Sequence, residues 1–401
     1  MSIDPQERAA FTAEVKAWFD DNAPADPGFL LPQSFMEVGT DQQFEFLKTW
    51  QRKVYDAGYL GMAWPKEYGG HSKPQWMQDI VTAEMTKRKL PFMVNTIGLN
   101  WAGPLILNMG TEEQKKAYIK GILTADDIWC QGFSEPDHGS DLGNAQLKAE
   151  KDGNEYVLNG SKIWTSLGAH AKYMILLART DQEAANKYAG LSFFLIPMKI
   201  DGIDPVPIKK MTGEYGFCQT FFDDARIAPS CLIGDEGGGW QVAMATLAFE
   251  RGAAGGQAGG HSMNSQSVHE VVALARKVKR NGKPAIDDPL VRQQLAQFVI
   301  DQKGLHLNGA RAKHKPLTED RPAAVPLMGK LLGSEFQRRM NEFAILLLGQ
   351  NANYYVGDED AIDGGLWTRS YFNSFSATIG GGTTQVQQNI LGERVLGLPK
   401  S

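Results

Sequence analysis

Residues Trp129–Asp141, WCQGFSEPDHGSD, decide how the rest of the chain is read. Upstream of them apolar residues recur at helical spacing; downstream they come in short runs bounded by Gly, Asn and Asp. Pro136 fixes its own φ and pushes Glu135 towards an extended conformation. Gly139 permits a tight turn, and Ser140 and Asp141 can bond nearby backbone groups. Such a corner offers main-chain N–H groups and hydroxyls to a planar polar ligand, with Phe133 beside it. Further on lies Asn159–Gly168, NGSKIWTSLG. Asn159-Gly160 reads as a hairpin turn, and the strand after it is expected to display Trp164 beside the hydroxyls of Thr165 and Ser166.

Ahead of the corner, Phe11, Val15, Trp18 and Phe19 share one helical face, and Leu47, Trp50 and Val54 another. The loop Trp64–Gly70 leads to helical patterns over Met77–Thr86, around Trp101–Met109, and from Thr111, where Gln114 completes a capping-box pattern. After the corner, Glu155–Leu158, Lys172–Arg179, Gly190–Pro197, Gln219–Phe222 and Arg226–Ile227 read as short strands of a small barrel or sandwich. Lys151–Gly153 and Asp181–Lys187 read as charged, solvated turns. Helical periodicity returns after Gly237–Trp240; Leu327, Leu331, Met340, Phe343 and Leu347 suit one long buried helix. Lys277–Asp288 is a basic break between two helices. The expected fold class is therefore α+β and multidomain. A helical N-terminal domain spans 1–127, a middle β-barrel or sandwich domain 128–237, and a C-terminal helical bundle 238–401.

The chain has 401 residues, 42% hydrophobic and 22% charged, with a net charge of −5. These are ordinary globular values, and the charge gives no reason to expect nucleic acid as a partner. No apolar run reaches the length of a membrane span, and MSIDPQERAAF has no apolar core for a signal peptide. Three cysteines, Cys130, Cys218 and Cys231, lack metal spacing and read as reduced thiols of a cytoplasmic protein. His261 and His269 stand too far apart for a helical metal pair, so no metal is expected. Ser134, Asp137, His138 and Ser140 carry the letters of a hydrolase triad, but neighbours on one turn rarely make one and no G-x-S-x-G elbow occurs.

SEP-x-x-GSD followed by NGSKIWTS resembles the acyl-CoA dehydrogenases, flavoenzymes that desaturate acyl-CoA thioesters between Cα and Cβ. GYLGMAWPKEYGG (58–70), GTEEQK (110–115), ARIAPSCLIGDEGGGW (225–240) and GGGTTQVQQ (380–388) extend the likeness in order over nearly the whole chain. The resemblance implies the helix, β, helix layout, FAD as cofactor, and electron-transferring flavoprotein as electron acceptor. By position it implies flavin contacts at Phe133, Ser134, Trp164, Thr165 and Ser166. Ser140 would lie near both cofactor and pantetheine, and Thr383 and Gln385 at the cofactor's far side.

Desaturation needs a carboxylate facing Cα, donors for the thioester carbonyl and a hydride acceptor. Well-known family members carry the base as Glu in a Tyr-Glu-Gly-Thr step near the C-terminus. Here that step reads Gly380-Gly381-Gly382-Thr383, so Gly381 keeps only a backbone N–H for the carbonyl. Another branch places the base in a helical Glu-Arg pair, matched by Glu250-Arg251 in LAFERGAAGG. Glu250 is the expected base, with Arg251 beside the substrate. The glycines from 252 to 260 follow a helical pattern, which disfavours a dinucleotide fingerprint and suits room for a bulky acyl group. This combination resembles bacterial dehydrogenases of steroid or bile-acid side-chain CoA thioesters, which work as heterotetramers of two different subunits. The Arg-x-x-Phe-Gly segment of common homotetrameric members is absent at Lys277–Asp288, and Leu348-Gly-Gln350 lacks their double glycine. A heterotetramer is thus expected beside a homo-oligomer. Two other readings are a non-catalytic subunit completing a partner's flavin site, and a flavin oxidase or monooxygenase on the same fold.

Overall fold

A computed structural model describes residues 4–250, 266–312, 314–318 and 324–400, except the side chains of 250, 315 and 324–326. The chain divides into two compact units, Met1–Asn264 and Ser265–Ser401.

The first unit opens with helices α1 (Pro5–Asn22), α2 (Asp41–Asp56) and α3 (Gln75–Lys87). Asp4 caps α1 by accepting from the Gln6 N–H, with Pro5 at the first helical position. Phe11, Val15 and Phe19, four residues apart, form its buried stripe. A π-helical turn, Gly98–Ala102, runs into α4 (Gly103–Met109), and α5 (Glu112–Thr124) follows. The capping box expected at Thr111 is present in both halves, with Gln114 reciprocating. Two buried amides join these helices to the chain beyond. Gln51 Nε2 donates to the carbonyls of Ile122 and Leu123 at 3.0 and 3.1 Å. Its Oε1 accepts from Asn95 N, while Asn95 Oδ1 accepts from Trp129 N at 3.0 Å.

Strands β1 (Trp129–Gly132), β2 (Lys148–Asp152), β3 (Glu155–Ser166), β4 (Tyr173–Arg179), β5 (Leu191–Pro197), β6 (Ile203–Lys209) and β7 (Tyr215–Ile227) form one seven-stranded sheet. Their order is β1-β4-β2-β3-β7-β6, with β5 also on β4, a half-barrel. Strand alternation splits β4 between two cores. Ile175 and Leu177 join the helices, whereas Met174, Leu176 and Ala178 meet Leu158, Phe194 and Phe222 on the other face. Helix α6 (Gly239–Glu250) packs on the helical side against β4, β5, the π-turn and α4.

Two local expectations change. Asn159-Gly160 is not a hairpin turn but lies inside β3, where the register with β7 shifts. Gly160 has φ of 135°, and a β-carbon there would sit 3.2 Å from the Leu147 backbone, so the glycine serves a bulge. The Asn159 side chain exchanges two 3.0 Å bonds with Asp224 across that bulge. The true hairpin joins β2 to β3 through Gly153-Asn154, and the charged run at 151–152 is strand rather than turn.

The second unit contains α7 (Val268–Lys277), a hairpin of β8 (Lys279–Arg280) and β9 (Lys283–Pro284), then α8 (Pro289–Arg311), α9 (Ala324–Leu348), α10 (Leu366–Ile379) and α11 (Thr384–Ile390). Here an Asn-Gly pair does turn a hairpin: Asn281 and Gly282 have φ of 51° and 77° between the paired Arg280 and Lys283. Leu274, Leu295, Phe298, Phe336, Met340, Leu347 and Trp367 form its core. Among the described residues no helix is long and apolar enough to cross a membrane.

Residues 36–39 cross β7 at a point where both strands of chain are reduced to backbone. A β-carbon on Gly216 would overlap the Met36 carbonyl, and one on Gly39 the Tyr215 carbonyl. Gly216→Ala is expected to destabilise the protein by about 1–3 kcal/mol through overpacking. Urea denaturation measures this, and an unchanged midpoint would mean that the crossing yields freely.

Candidate active site

The Trp129–Asp141 corner is fastened to β3 by an ion pair that excludes water. Lys162 is 0% exposed, and its Nζ donates to Glu135 Oε1 at 2.8 Å and to the Phe133 carbonyl at 3.0 Å. Glu135 also accepts from Gln146 N at 2.6 Å and Leu147 N at 2.8 Å. Burial alone would raise the Glu135 carboxyl, but the Lys162 ammonium and those two N–H donors outweigh it and hold it below the usual carboxylate range. Ile163 N donates to the Ser134 carbonyl at 2.9 Å, so the corner and β3 lie side by side. Arg179 grips the return loop through the carbonyls of Ala145, Gly143 and Lys187.

This clamp sets the exposure of each candidate residue. Phe133 is buried edge-on to Phe193, with ring centres 5.6 Å apart; Ser134 is half-buried and Ser140 exposed. Trp164 is 54% exposed at φ of 62°, unusual for a large side chain, and meets Phe217 edge-on at 5.7 Å. Leu167, three residues on, also has a positive φ of 61°. Backbone in this rarely occupied region is sustained by its surroundings and clusters at functional sites. The two hydroxyls expected beside Trp164 differ in setting. Thr165 is fully buried and accepts from Thr220 Oγ1 at 3.2 Å, which corrects the expectation that the strand displays it. Ser166 is buried at 8% exposure. Beside this stretch opens a cleft of about 310 Å³ lined by Val38, Leu167, His170, Tyr215, Phe217 and Cys218 among others. Burial lowers the His170 imidazole, which stacks on Phe44 at 4.4 Å, and pushes the Cys218 thiol up to about 11.

Glu250 is the last described residue of α6; its side chain, Arg251 and the glycines from 252 to 260 lie outside the described residues. The start of α6 is pinned where Gly239 abuts the Ser192 backbone and Gly237 N donates to Ser192 Oγ at 2.8 Å. Val242, Ala243 and Phe249 then bury against the helical core.

In the second unit, Gly381 and Gly382 follow α10 with φ of 64° and 90°. Lys330 Nζ donates to the carbonyls of Ala377 and Gly382 at 2.9 and 2.8 Å, and Gln387 Nε2 to that of Gly381 at 2.9 Å. These bonds tie the turn to α9 and α11. The Thr383 hydroxyl caps α11 by accepting from Val386 N at 3.2 Å, and Gln385 is exposed. No cluster of metal-binding side chains occurs among the described residues.

Glu135, Lys162, Lys330 and Gln387 were not singled out from sequence. Glu135 and Lys162 stand inside the two quoted motifs, and a charged residue within a strand-like run was the available signal for Lys162. Gln387 stands in the quoted GGGTTQVQQ stretch, whereas Lys330 carried no signal.

Comparison with known proteins gives the class. Sequence models of the acyl-CoA dehydrogenase N-terminal, middle and C-terminal domains match residues 33–126, 130–225 and 237–396. The chain is 32% identical to acyl-CoA dehydrogenase IpdE1 of Mycobacterium tuberculosis, over 98% of this chain and 99% of that protein. Among solved structures, the Tcur3481-Tcur3483 steroid ACAD superposes with a TM-score of 0.79 at 29% identity, covering 100% of both chains. The ChsE4-ChsE5 complex from Mycobacterium tuberculosis gives 0.77 at 28% identity, covering 100% of this chain and 99% of that one. The chain belongs to the acyl-CoA dehydrogenase family. It is accordingly an oxidoreductase of acyl-CoA thioesters, and its cofactor is FAD. The first unit fits such a cofactor: an exposed indole held at a strained backbone position adjoins half-buried and buried hydroxyls, the donor set a large planar polar ring requires.

Removing Lys162 leaves a buried carboxylate without its counter-charge. Lys162→Met is expected to cost about 3–5 kcal/mol in urea unfolding, and adding Glu135→Gln should recover part of it. Because the folded Glu135 pKa is depressed, the pair's contribution is present above the ordinary carboxylate range and is lost as pH falls through the folded value. Wild type should therefore lose stability on acidification more steeply than Lys162→Met. Equal acid limbs for the two proteins would contradict this assignment.

Proposed function

We propose that this chain catalyses α,β-dehydrogenation of an acyl-CoA thioester with Glu250 as the base that removes the α-proton. The observation that carries this reading is the placement of Glu250 on α6. An apolar helix anchored on the sheet carries Glu250, while the turn at Gly380–Gly382 has no carboxylate to offer. A positioned general base contributes about a hundred- to ten-thousand-fold to rate. Gly381 supplies a backbone N–H towards the thioester carbonyl, with Lys330 and Gln387 holding the turn, and Arg251 adjoins the substrate. FAD when bound supplies the acceptor for the β-hydride. Trp164, Phe133, Ser134 and Ser166 are its contacts in the first unit, with Thr165 acting from beneath the strand. Ser140 serves cofactor and pantetheine, and Thr383 and Gln385 its far side.

The domain limits at 127 and 237 belong to the same proposal. So does a bulky, branched or steroid-like acyl group, supported by the glycines from 252 to 260 and by a structural neighbour described as a steroid ACAD. A partner subunit of the same family is supported by the two-protein names of the neighbours Tcur3481-Tcur3483 and ChsE4-ChsE5. Leu290, Ile300, Leu307 and Leu346 of α8 and α9, each more than half exposed, are apolar surface that a subunit interface would cover. Electron-transferring flavoprotein as acceptor and a cytoplasmic location complete the reading.

The test is anaerobic flavin bleaching by a panel of acyl-CoAs. Wild type should bleach, and Glu250→Gln should bind FAD and thioester yet reduce at least a hundredfold more slowly. An equally fast variant moves the base elsewhere. Oligomer mass with and without a co-expressed family member tests the partner; FAD retention only in the mixed complex would support a jointly built site.

A further inference from the structure

Three ionisable side chains are buried behind the Trp129–Asp141 corner, and their charges do not balance. Lys162, Arg179 and Glu135 are 0%, 5% and 6% exposed. Two cations thus share one carboxylate where water does not reach and where charge acts more strongly than in solvent.

Short bonds join the three. Lys162 Nζ donates to Glu135 Oε1 at 2.8 Å, and the same oxygen accepts from Leu147 N at 2.8 Å. The Leu147 carbonyl accepts from Arg179 N at 2.7 Å, and Arg179 Nε donates to the Ala145 carbonyl at 2.9 Å. The carboxylate is therefore shared with the loop that enters β2. The ammonium instead also reaches the corner, donating to the Phe133 carbonyl at 3.0 Å.

That carbonyl belongs to the peptide group that carries the Ser134 N–H. A cation bonded to an amide oxygen draws electron density from the amide nitrogen, so its N–H becomes a stronger donor. The Ser134 carbonyl accepts from Ile163 N at 2.9 Å, which holds the residue beside β3. Among the described residues the half-buried Ser134 has no acceptor for its N–H or its hydroxyl. A hydride carries two electrons and one proton, so its arrival adds one negative charge to a flavin ring. Donors fixed in advance where charge develops stabilise that charge without reorganising.

We infer that the buried Lys162, Arg179 and Glu135 group sets the reduction potential of the bound flavin, with Lys162 a positioning residue that acts through the Ser134 amide. The excess positive charge favours the reduced, more negative cofactor and so draws hydride transfer towards product. This inference rests on the reading of Ser134 as a flavin contact.

The experiment uses FAD-loaded protein, with its partner subunit where one is needed. It reads the potential of the bound flavin by anaerobic equilibration with a reference dye. Burial lowers the Lys162 ammonium against the pull of Glu135, so the measurement is made at about pH 6, well below the ordinary lysine range. Lys162→Met combined with Glu135→Gln removes both charges of the pair. It should move the reduced-to-oxidised ratio at least tenfold towards oxidised flavin, about 30 mV for two electrons. Glu135→Gln alone leaves the ammonium uncompensated and should move the ratio the opposite way. Arg179→Gln, which loses the second cation, should move it towards oxidised flavin and serves if the pair variants do not fold. Shifts of one sign in the double variant and in Glu135→Gln, or no shift in any variant, overturn the inference, because a clamp that serves folding alone has no reason to oppose them. Ser134→Pro, which lacks the amide hydrogen, separates the two levels. If it lowers the potential while the charge variants do not, the tuning inference falls alone. If it binds FAD at the wild-type potential, the reading of Ser134 as a flavin contact falls with it.

Discussion

The Lys162–Glu135 pair is the constraint on which the rest of the first unit depends. A lysine at 0% exposure is tolerated only because one oxygen of Glu135 lies 2.8 Å away and the Phe133 carbonyl takes a second donor. Glu135 in turn holds the N–H groups of Gln146 and Leu147, which start the path into β2. Three segments far apart in sequence therefore meet at one charge. Such a pair adds little net stability compared with apolar packing, but it penalises every alternative register of β3 that would strand either charge.

With the corner fixed, the neighbouring backbone can carry strain. Trp164 and Leu167 both hold positive φ, and β3 bulges between Lys162 and Thr165. The bulge turns the indole outward while Thr165 goes into the core against Thr220. A regular strand would have alternated these side chains in strict sequence, and Trp164 would have lost either its exposure or its edge-on contact with Phe217.

The other bulge of β3, at Gly160, marks the limit of what could be read in advance. The helix, β, helix order and the capping box at Thr111 followed from periodicity and local hydrogen-bond chemistry. The family followed from motifs in order. Asn159-Gly160 misled because an Asn-Gly pair favours positive φ without saying whether a turn or a bulge uses it; Asn281-Gly282 shows the other outcome. The partner of Lys162 lies 27 residues away, beyond any local pattern. Likewise Lys330 reaches Gly382 over 52 residues, a contact that packing of α9 beside α10 creates and no spacing announces.

In the second unit the glycine turn is governed by backbone geometry. Gly381 and Gly382 occupy the left-handed region, where a residue with a β-carbon pays roughly 1–2 kcal/mol. At Gly382 a β-carbon would also lie 2.7 Å from Gln387 Nε2, the group next to the Gly381 carbonyl. A glutamate placed in this turn would strain it and disturb the bond from Gln387 Nε2 to the Gly381 carbonyl. The turn is thus poorly suited to residues with a β-carbon. A chain that keeps this turn and still abstracts an α-proton needs its carboxylate on another element, which is why Glu250 of α6 is the base proposed above.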